Sequence, residues 1–342
     1  MKRRTLFLMG LAGAAAGCTR GTQKRLNVFN WSSYVAPNTI PDFEKEFGVR
    51  VRYAVYESNE EMLARVMSGN SGWDVVFPTN YFIEPMRETG LLAELDHRRL
   101  PNLGELDGPF QSPAWDPRLQ WGVPYMWNAT GIAYNKKLAP APASWSDLWS
   151  PALAGHMTML DDPVDVFAAC LMKLGLRANT RDGGELRRAQ REAIAQKPLL
   201  RAYLNAEVRD QLVSGDVLAA QLWSTTAQQA IDASPQIDFV YPREGFAVYP
   251  DVAVILRESP RKELAHELLN YLLRPQVAAA IVVAARTASA NGGARAFLPQ
   301  GIRNNKTLYP PADVMERGEW SQAATPEIQR LRDRLWTEIK SS

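Results

Sequence analysis

Between Leu26 and Thr89, strand-like alternation and helical periodicity take turns three times, and this rhythm limits the possible folds more than any other feature of the chain. Leu26 to Trp31 alternates apolar and polar residues and predicts a strand. Pro37 to Phe47, closed by Gly48, predicts a helix, and Val49 to Tyr56 a second strand. Ser58-Asn-Glu-Glu61 has the capping-box spacing and opens a helix through Met67. Asp74 to Phe77 is a short apolar strand, followed by Pro78-Thr-Asn-Tyr81 and a helix to about Thr89. Such alternation predicts an α/β fold whose parallel sheet is covered on both faces. Ligands of these sheets collect beyond the carboxyl ends of the strands. Trp31, Tyr34, Thr79 and Tyr81 all fall there.

The second half repeats the pattern. Trp121 to Tyr134 predicts one or two strands, and the chain leaves the first unit near Trp127 to Thr130. A second unit follows: a short capped helix at Ser144 to Trp149, a strand at Gly155 to Leu160, a charged helix at Glu185 to Gln196, and strands at Val217 to Trp223 and Gln236 to Tyr241. The chain returns near Gly245 to Pro250 into a strand at Asp251 to Leu256, then helices at Glu263 to Leu273 and Gln276 to Ala285. A terminal helix, Glu327 to Ile339, is expected on the second unit. At 342 residues the chain exceeds the usual size of a single core. Two α/β domains joined by two crossover segments are therefore expected, with 26–127 and 250–295 forming lobe 1 and 128–249 and 296–342 forming lobe 2. The cleft of such a clamshell lies between Trp31, Tyr34, Tyr81 and Asp251 on one side and Asp162, Asp165 and Trp223 on the other.

Residues 1–18 stand apart from the fold. Lys2, Arg3 and Arg4 precede an apolar and small-residue run from Leu6 to Ala16, which is too short to span a bilayer. Ala15-Ala-Gly-Cys18 resembles a lipobox, with lipidation expected at Cys18. Arg3-Arg4 resembles a twin-arginine signal, and a general secretory signal fits equally well. The expected location is the periplasm or extracytoplasmic face, with a membrane anchor. Removal of residues 1–17 leaves a net charge of about −1, which gives no support to a nucleic-acid partner. Cys170 then has only apolar neighbours in sequence and reads as a buried thiol.

The chemistry gathers at Met159 to Phe167. Pro163 is favoured at a first helical position, which makes Asp162 the N-cap. Asp165, three residues from Asp162, shares its helix face. A purely structural account has Asp162 capping amides and Asp165 favouring the helix dipole. With Asp251 and the aromatic residues, the pair also makes a cage for an organic cation. His97, His156 and His266 follow no metal-ligand spacing, so no metal or cofactor is expected. No nucleophile elbow, P-loop or dinucleotide fingerprint is present. A glycoside hydrolase is the enzyme alternative, but carboxylates at i and i+3 do not readily straddle a scissile bond.

Several stretches match a known family in order: Asn30-Trp-Ser-Ser-Tyr-Val35, Tyr56-Glu-Ser-Asn59, Val76-Phe-Pro-Thr-Asn-Tyr81, Ser144-Trp-Ser-Asp-Leu-Trp149, Asp161-Asp-Pro-Val-Asp-Val-Phe167, Leu272-Leu-Arg-Pro275, Lys306-Thr-Leu-Tyr-Pro310 and Gly318-Glu-Trp320. The chain resembles the spermidine/putrescine-binding proteins of bacterial ABC importers over nearly its whole length. The resemblance implies a two-lobed type II periplasmic-binding-protein fold, a polyamine ligand, a membrane permease partner and no enzymatic activity. It implies aromatic walls at Trp31, Tyr34, Tyr81, Trp223 and Tyr249, amine-binding carboxylates at Asp162, Asp165 and Asp251, and a hydroxyl at Thr79. Asp165 stands where the family has glutamate, Tyr249 where it has tryptophan, and Thr79 where it has serine. Ser33, Thr287 and Ser321 replace a glutamate, a tyrosine and a glutamine. The same fold binding another organic cation or ferric iron is the alternative, with Tyr34, Tyr81 and Tyr249 as the available phenols. A sensory or scaffolding lipoprotein is a third.

Overall fold

The computed structural model describes residues 24–342; the leader and Cys18 lie outside the described residues. The strands are β1 (Arg25–Trp31), β2 (Arg50–Tyr56), β3 (Val75–Val76), β4 (Gly122–Asn135), β5 (Met157–Met159), β6 (Leu200–Tyr203), β7 (Ala219–Trp223), β8 (Ile237–Val240), β9 (Phe246–Ile255), β10 (Ala288–Ser289) and β11 (Gly318–Trp320). Their order is β2-β1-β3-β9-β4-β7-β5-β6, with β8 and β10 also on β4 and β11 on β9. β1 runs parallel to both β2 and β3, as the opening alternation predicts.

Two long strands carry the chain between the lobes. β4 pairs with β9 over Gly122–Ala129, then with β7 and β8 over Thr130–Asn135. One uninterrupted strand thus belongs to both halves of the molecule. β9 is buried along all ten residues. The sequence places the return crossing near Gly245 to Pro250 and starts the strand at Asp251. The structure instead runs the strand straight through Pro250, which faces Trp127 in the ladder. Burial of every β9 side chain outweighs the local turn preference of glycine and proline.

The apolar core divides between Ala129 and Ile132 of β4. Leu26, Phe43, Val123 and Phe246 belong to one side, and Ile132, Trp145, Phe167 and Leu335 to the other. The stretch 296–342, expected whole in lobe 2, is shared. Leu298, Tyr309, Met315 and Trp320 pack on the first core, where Trp320 meets Phe110 at 5.4 Å and Trp127 at 6.2 Å between ring centroids. β11 also pairs with β9. The terminal helix, Pro326–Ser341, joins the second core through Ile328, Leu335 and Ile339, with Ala324 just before it. Aromatic burial and a strand pairing decide this division, and neither is visible in local sequence pattern.

Close approach of β8 to β4 depends on Gly131. A Cβ there would lie 2.5 Å from Phe239 Cζ and 2.6 Å from the Val240 carbonyl oxygen. Gly131→Ala is expected to cost about 1–3 kcal/mol, the usual range for overpacking. A urea midpoint equal to the wild type would contradict that packing.

Candidate functional site

All nine residues singled out from the sequence line one cleft of about 580 Å³: Trp31, Tyr34, Thr79, Tyr81, Asp162, Asp165, Trp223, Tyr249 and Asp251. β1 ends at Trp31, and its indole Nε1 donates to the Phe77 carbonyl at 2.8 Å. The Trp31 ring rests on Tyr56 at 4.7 Å, so one face is fixed by the apolar cluster of Phe29, Tyr56 and Val76. Tyr81 meets Tyr249 edge-on at 6.2 Å, and Trp223 ends β7 across the opening.

The helix Pro163–Lys173 begins as its sequence dictates. Asp162 caps it, accepting from the backbone N–H of Val164 at 2.7 Å and of Asp165 at 3.2 Å. Both bonds fall on Oδ1, and among the described residues no donor reaches Oδ2. Asp165 is held from two other elements. Thr130 Oγ1 of β4 donates to its Oδ1 at 2.5 Å, and Trp223 Nε1 donates to its Oδ2 at 2.9 Å. Gln221 Nε2 donates to its carbonyl oxygen at 2.7 Å. Asp251 lies on β9, where Thr79 Oγ1 and Tyr34 Oη each donate to one carboxylate oxygen at 2.9 Å. Asn59 Nδ2 supports Thr79 from behind at 2.9 Å.

These carboxylates are short of positive charge. Asp165 and Asp251 are each only 3% exposed, and among the described residues no Lys, Arg or His nitrogen comes within 4.0 Å of Asp162, Asp165 or Asp251. Burial pushes the Asp251 carboxyl up to about 7, although the Thr79 and Tyr34 hydroxyls pull it down. Burial likewise raises Asp165, and the neighbouring Asp162 charge raises it further. Asp162 itself is raised by burial against the pull of its two capping amides. Such an arrangement stabilises an incoming cation and disfavours an anion.

Sequence reasoning missed part of the lining. Glu57, Asn128, Asn205, Glu207 and Arg209 also face the cleft. Arg209 is turned aside, with Nε on Asp210 at 3.0 Å. Asn128 is the informative omission. It lies on β4 directly opposite Tyr249, so strand alternation through the crossover would have pointed it at the cleft floor. Ser33 and Thr225 reach the cleft, whereas Thr287 and Ser321 are spent on structural bonds to Thr225 Oγ1 and Asn80 Oδ1.

A family model described as bacterial extracellular solute-binding protein matches residues 71–315. The spermidine/putrescine-binding periplasmic protein of Escherichia coli is 33% identical over 326 residues, covering 94% of each chain. The putrescine-binding periplasmic protein PotF of Escherichia coli is 32% identical over 98% of each. Among solved structures, the TpPotD lipoprotein of Treponema pallidum superposes with a TM-score of 0.83 at 29% identity, covering 92% of this chain and 99% of that one. With its two cores bridged by β4 and β9 and its cleft between them, this chain has the two-lobed type II periplasmic-binding-protein fold and belongs to the bacterial extracellular solute-binding proteins.

Proposed function

We propose that this chain captures a polyamine, spermidine or putrescine, in the interlobe cleft and delivers it to a membrane ABC importer. One observation carries the reading: two buried carboxylates, Asp165 and Asp251, and the half-buried Asp162, with no basic nitrogen within 4.0 Å among the described residues, face a cleft walled by aromatic rings. A polyamine supplies the missing charge at spaced points, while its methylenes lie along the ring faces. Cation–π attraction adds roughly 0.5–2 kcal/mol per ring. The names of the relatives at 32–33% identity support the same ligand class. In the family the role is binding rather than catalysis, and the i, i+3 acid pair on one helix end is poorly placed for glycoside cleavage.

Closure follows from where the acids sit. Asp162 and Asp165 belong to the Pro163–Lys173 helix of the second lobe, and Asp251 to a crossover strand beside Thr79 and Tyr34 of the first. A ligand bound to both sets favours the closed arrangement, which is the differential affinity closure requires. We take 26–127 with 250–295 and 128–249 as the bodies that move, and the closed face as what the permease reads. The Ala15-Ala-Gly-Cys18 run supports export and a lipid anchor at Cys18 on the extracytoplasmic face.

Ferric iron is the alternative with the least support. It needs phenolates, and burial together with nearby carboxylates raises the Tyr34, Tyr81 and Tyr249 hydroxyls well above their ordinary range. Iron titration followed by tyrosinate absorbance would show a charge-transfer band if that reading held.

Asp165→Asn is expected to weaken putrescine and spermidine binding by about 1.5–3 kcal/mol, the range for hydrogen bonds to charged groups. Unchanged calorimetric affinity would refute the assignment. Affinity should also fall with acidification. An ammonium binds the ionised carboxylate, and burial pushes the Asp251 carboxyl up to about 7. Below that pH affinity should drop, approaching tenfold per unit for each carboxyl titrated, and binding near neutrality should release protons. The empty protein has its own pH dependence. Asp251 holds its proton to a higher pH folded than unfolded, so stability falls as pH rises from about 4 to about 7. Calorimetry in two buffers of different protonation enthalpy reads the proton release, and pH-independent affinity from about pH 5 to about pH 8 would remove the acids from the site.

A further inference from the structure

The floor of the cleft holds two oxygens that no acid assignment explains. Tyr249 is 5% exposed, and its Oη makes no hydrogen bond of ordinary geometry, although it lies close enough to the Asp165 carboxylate for each to shift the other's titration; its lone pairs receive no donor. Asn128 Oδ1 is equally without a donor. Both residues line the cleft. They are direct cross-strand partners on β9 and β4, so their side chains leave the ladder on one face, starting about 5 Å apart.

From that shared origin the two heads turn toward different acids. Asn128 Nδ2 reaches Tyr34 Oη at 3.4 Å, and Tyr34 in turn donates to Asp251. The Tyr249 ring runs beside Tyr81 toward the Asp162 and Asp165 carboxylates. Each acid station therefore has a neutral oxygen nearby whose acceptor capacity is unused. A buried polar oxygen left without a donor is unfavourable, and that deficit disappears if the ligand brings the donor.

Resting on the polyamine reading, we propose that Tyr249 Oη and Asn128 Oδ1 accept ammonium N–H bonds from the ligand and make the cleft selective for primary and secondary ammonium over quaternary ammonium. Aromatic walls and carboxylates alone do not make this choice, since ring faces also attract quaternary nitrogen. A primary ammonium carries three N–H donors. One carboxylate oxygen uses one of them, and the remainder need further acceptors. A trimethylated nitrogen has none to offer and leaves both oxygens unpaired, which is how a buried polar group rejects a near-isostere. The tyrosine matters as an acceptor. The tryptophan that the family resemblance places at position 249 has only a donor.

The test is isothermal calorimetry on the full chain with putrescine, spermidine and the fully N-methylated, bis-quaternary analogue of putrescine. Wild type should prefer putrescine over that analogue by about 100-fold or more. Tyr249→Phe keeps the ring and removes only the oxygen. It should weaken putrescine about tenfold or more and leave the analogue within about twofold, which narrows the ratio. Asn128→Ala should narrow it in the same direction. The melting temperature of empty Tyr249→Phe should change little, because the hydroxyl makes no hydrogen bond of ordinary geometry in the protein. A variant ratio equal to the wild-type ratio in both substitutions, or wild-type binding of the analogue as tight as putrescine, overturns the inference while the polyamine reading stands. Failure of wild type to bind putrescine or spermidine at all overturns that reading and this inference with it.

Discussion

Uncompensated negative charge inside a folded protein is the condition around which this molecule is arranged. Isolated carboxylates avoid low-dielectric surroundings, and proteins usually place a guanidinium or ammonium beside them. Here the partners of Asp165 and Asp251 are hydroxyls and an indole, each giving a single neutral hydrogen bond. Those donors fix the carboxylates in place without neutralising them. The scaffold therefore retains a demand for positive charge that only something from outside can meet. Burial raises both carboxyls above the usual carboxylate range, which is the same demand expressed as a preference for the proton.

The crossover strands connect this demand to the architecture. Asp251 and Tyr249 lie on β9, and Thr130, which holds Asp165, lies on β4. The cleft floor is thus the pair of strands that also joins the lobes. On the proposed closure, charge bound at the floor would act directly on the strands that join the lobes, with no separate relay coupling occupancy to shape.

Features dictated by neighbouring residues were legible in the sequence. Asp162 before Pro163 specified a cap and a helix start within five residues, and the structure has both. The opening strand–helix rhythm specified parallel pairing of β1 with β2 and β3. Features set by distant partners were not. The strand expected from Asp251 in fact begins at Phe246 and includes Pro250, because the whole of β9 is buried. β6 has only four residues, three partly buried and Arg201 exposed, and no periodicity of its own, so it is defined by its parallel pairing with β5. The nine cleft residues were found because their chemical types recur in a recognisable order, whereas Asn128 carries no such signature and is revealed only by its ladder position opposite Tyr249.

Asp162 divides its two oxygens between tasks: Oδ1 closes the first turn of its helix, and Oδ2 is left to the cleft. A substitution there disturbs folding and recognition at once, so the position has little freedom to drift. Asp165 carries no capping duty, and its bonds to Thr130 and Trp223 can be remade by a longer or differently shaped acceptor. A change of ligand preference that spares the fold is accordingly easier to make at the second acid of the pair than at the first, which the helix it begins also needs.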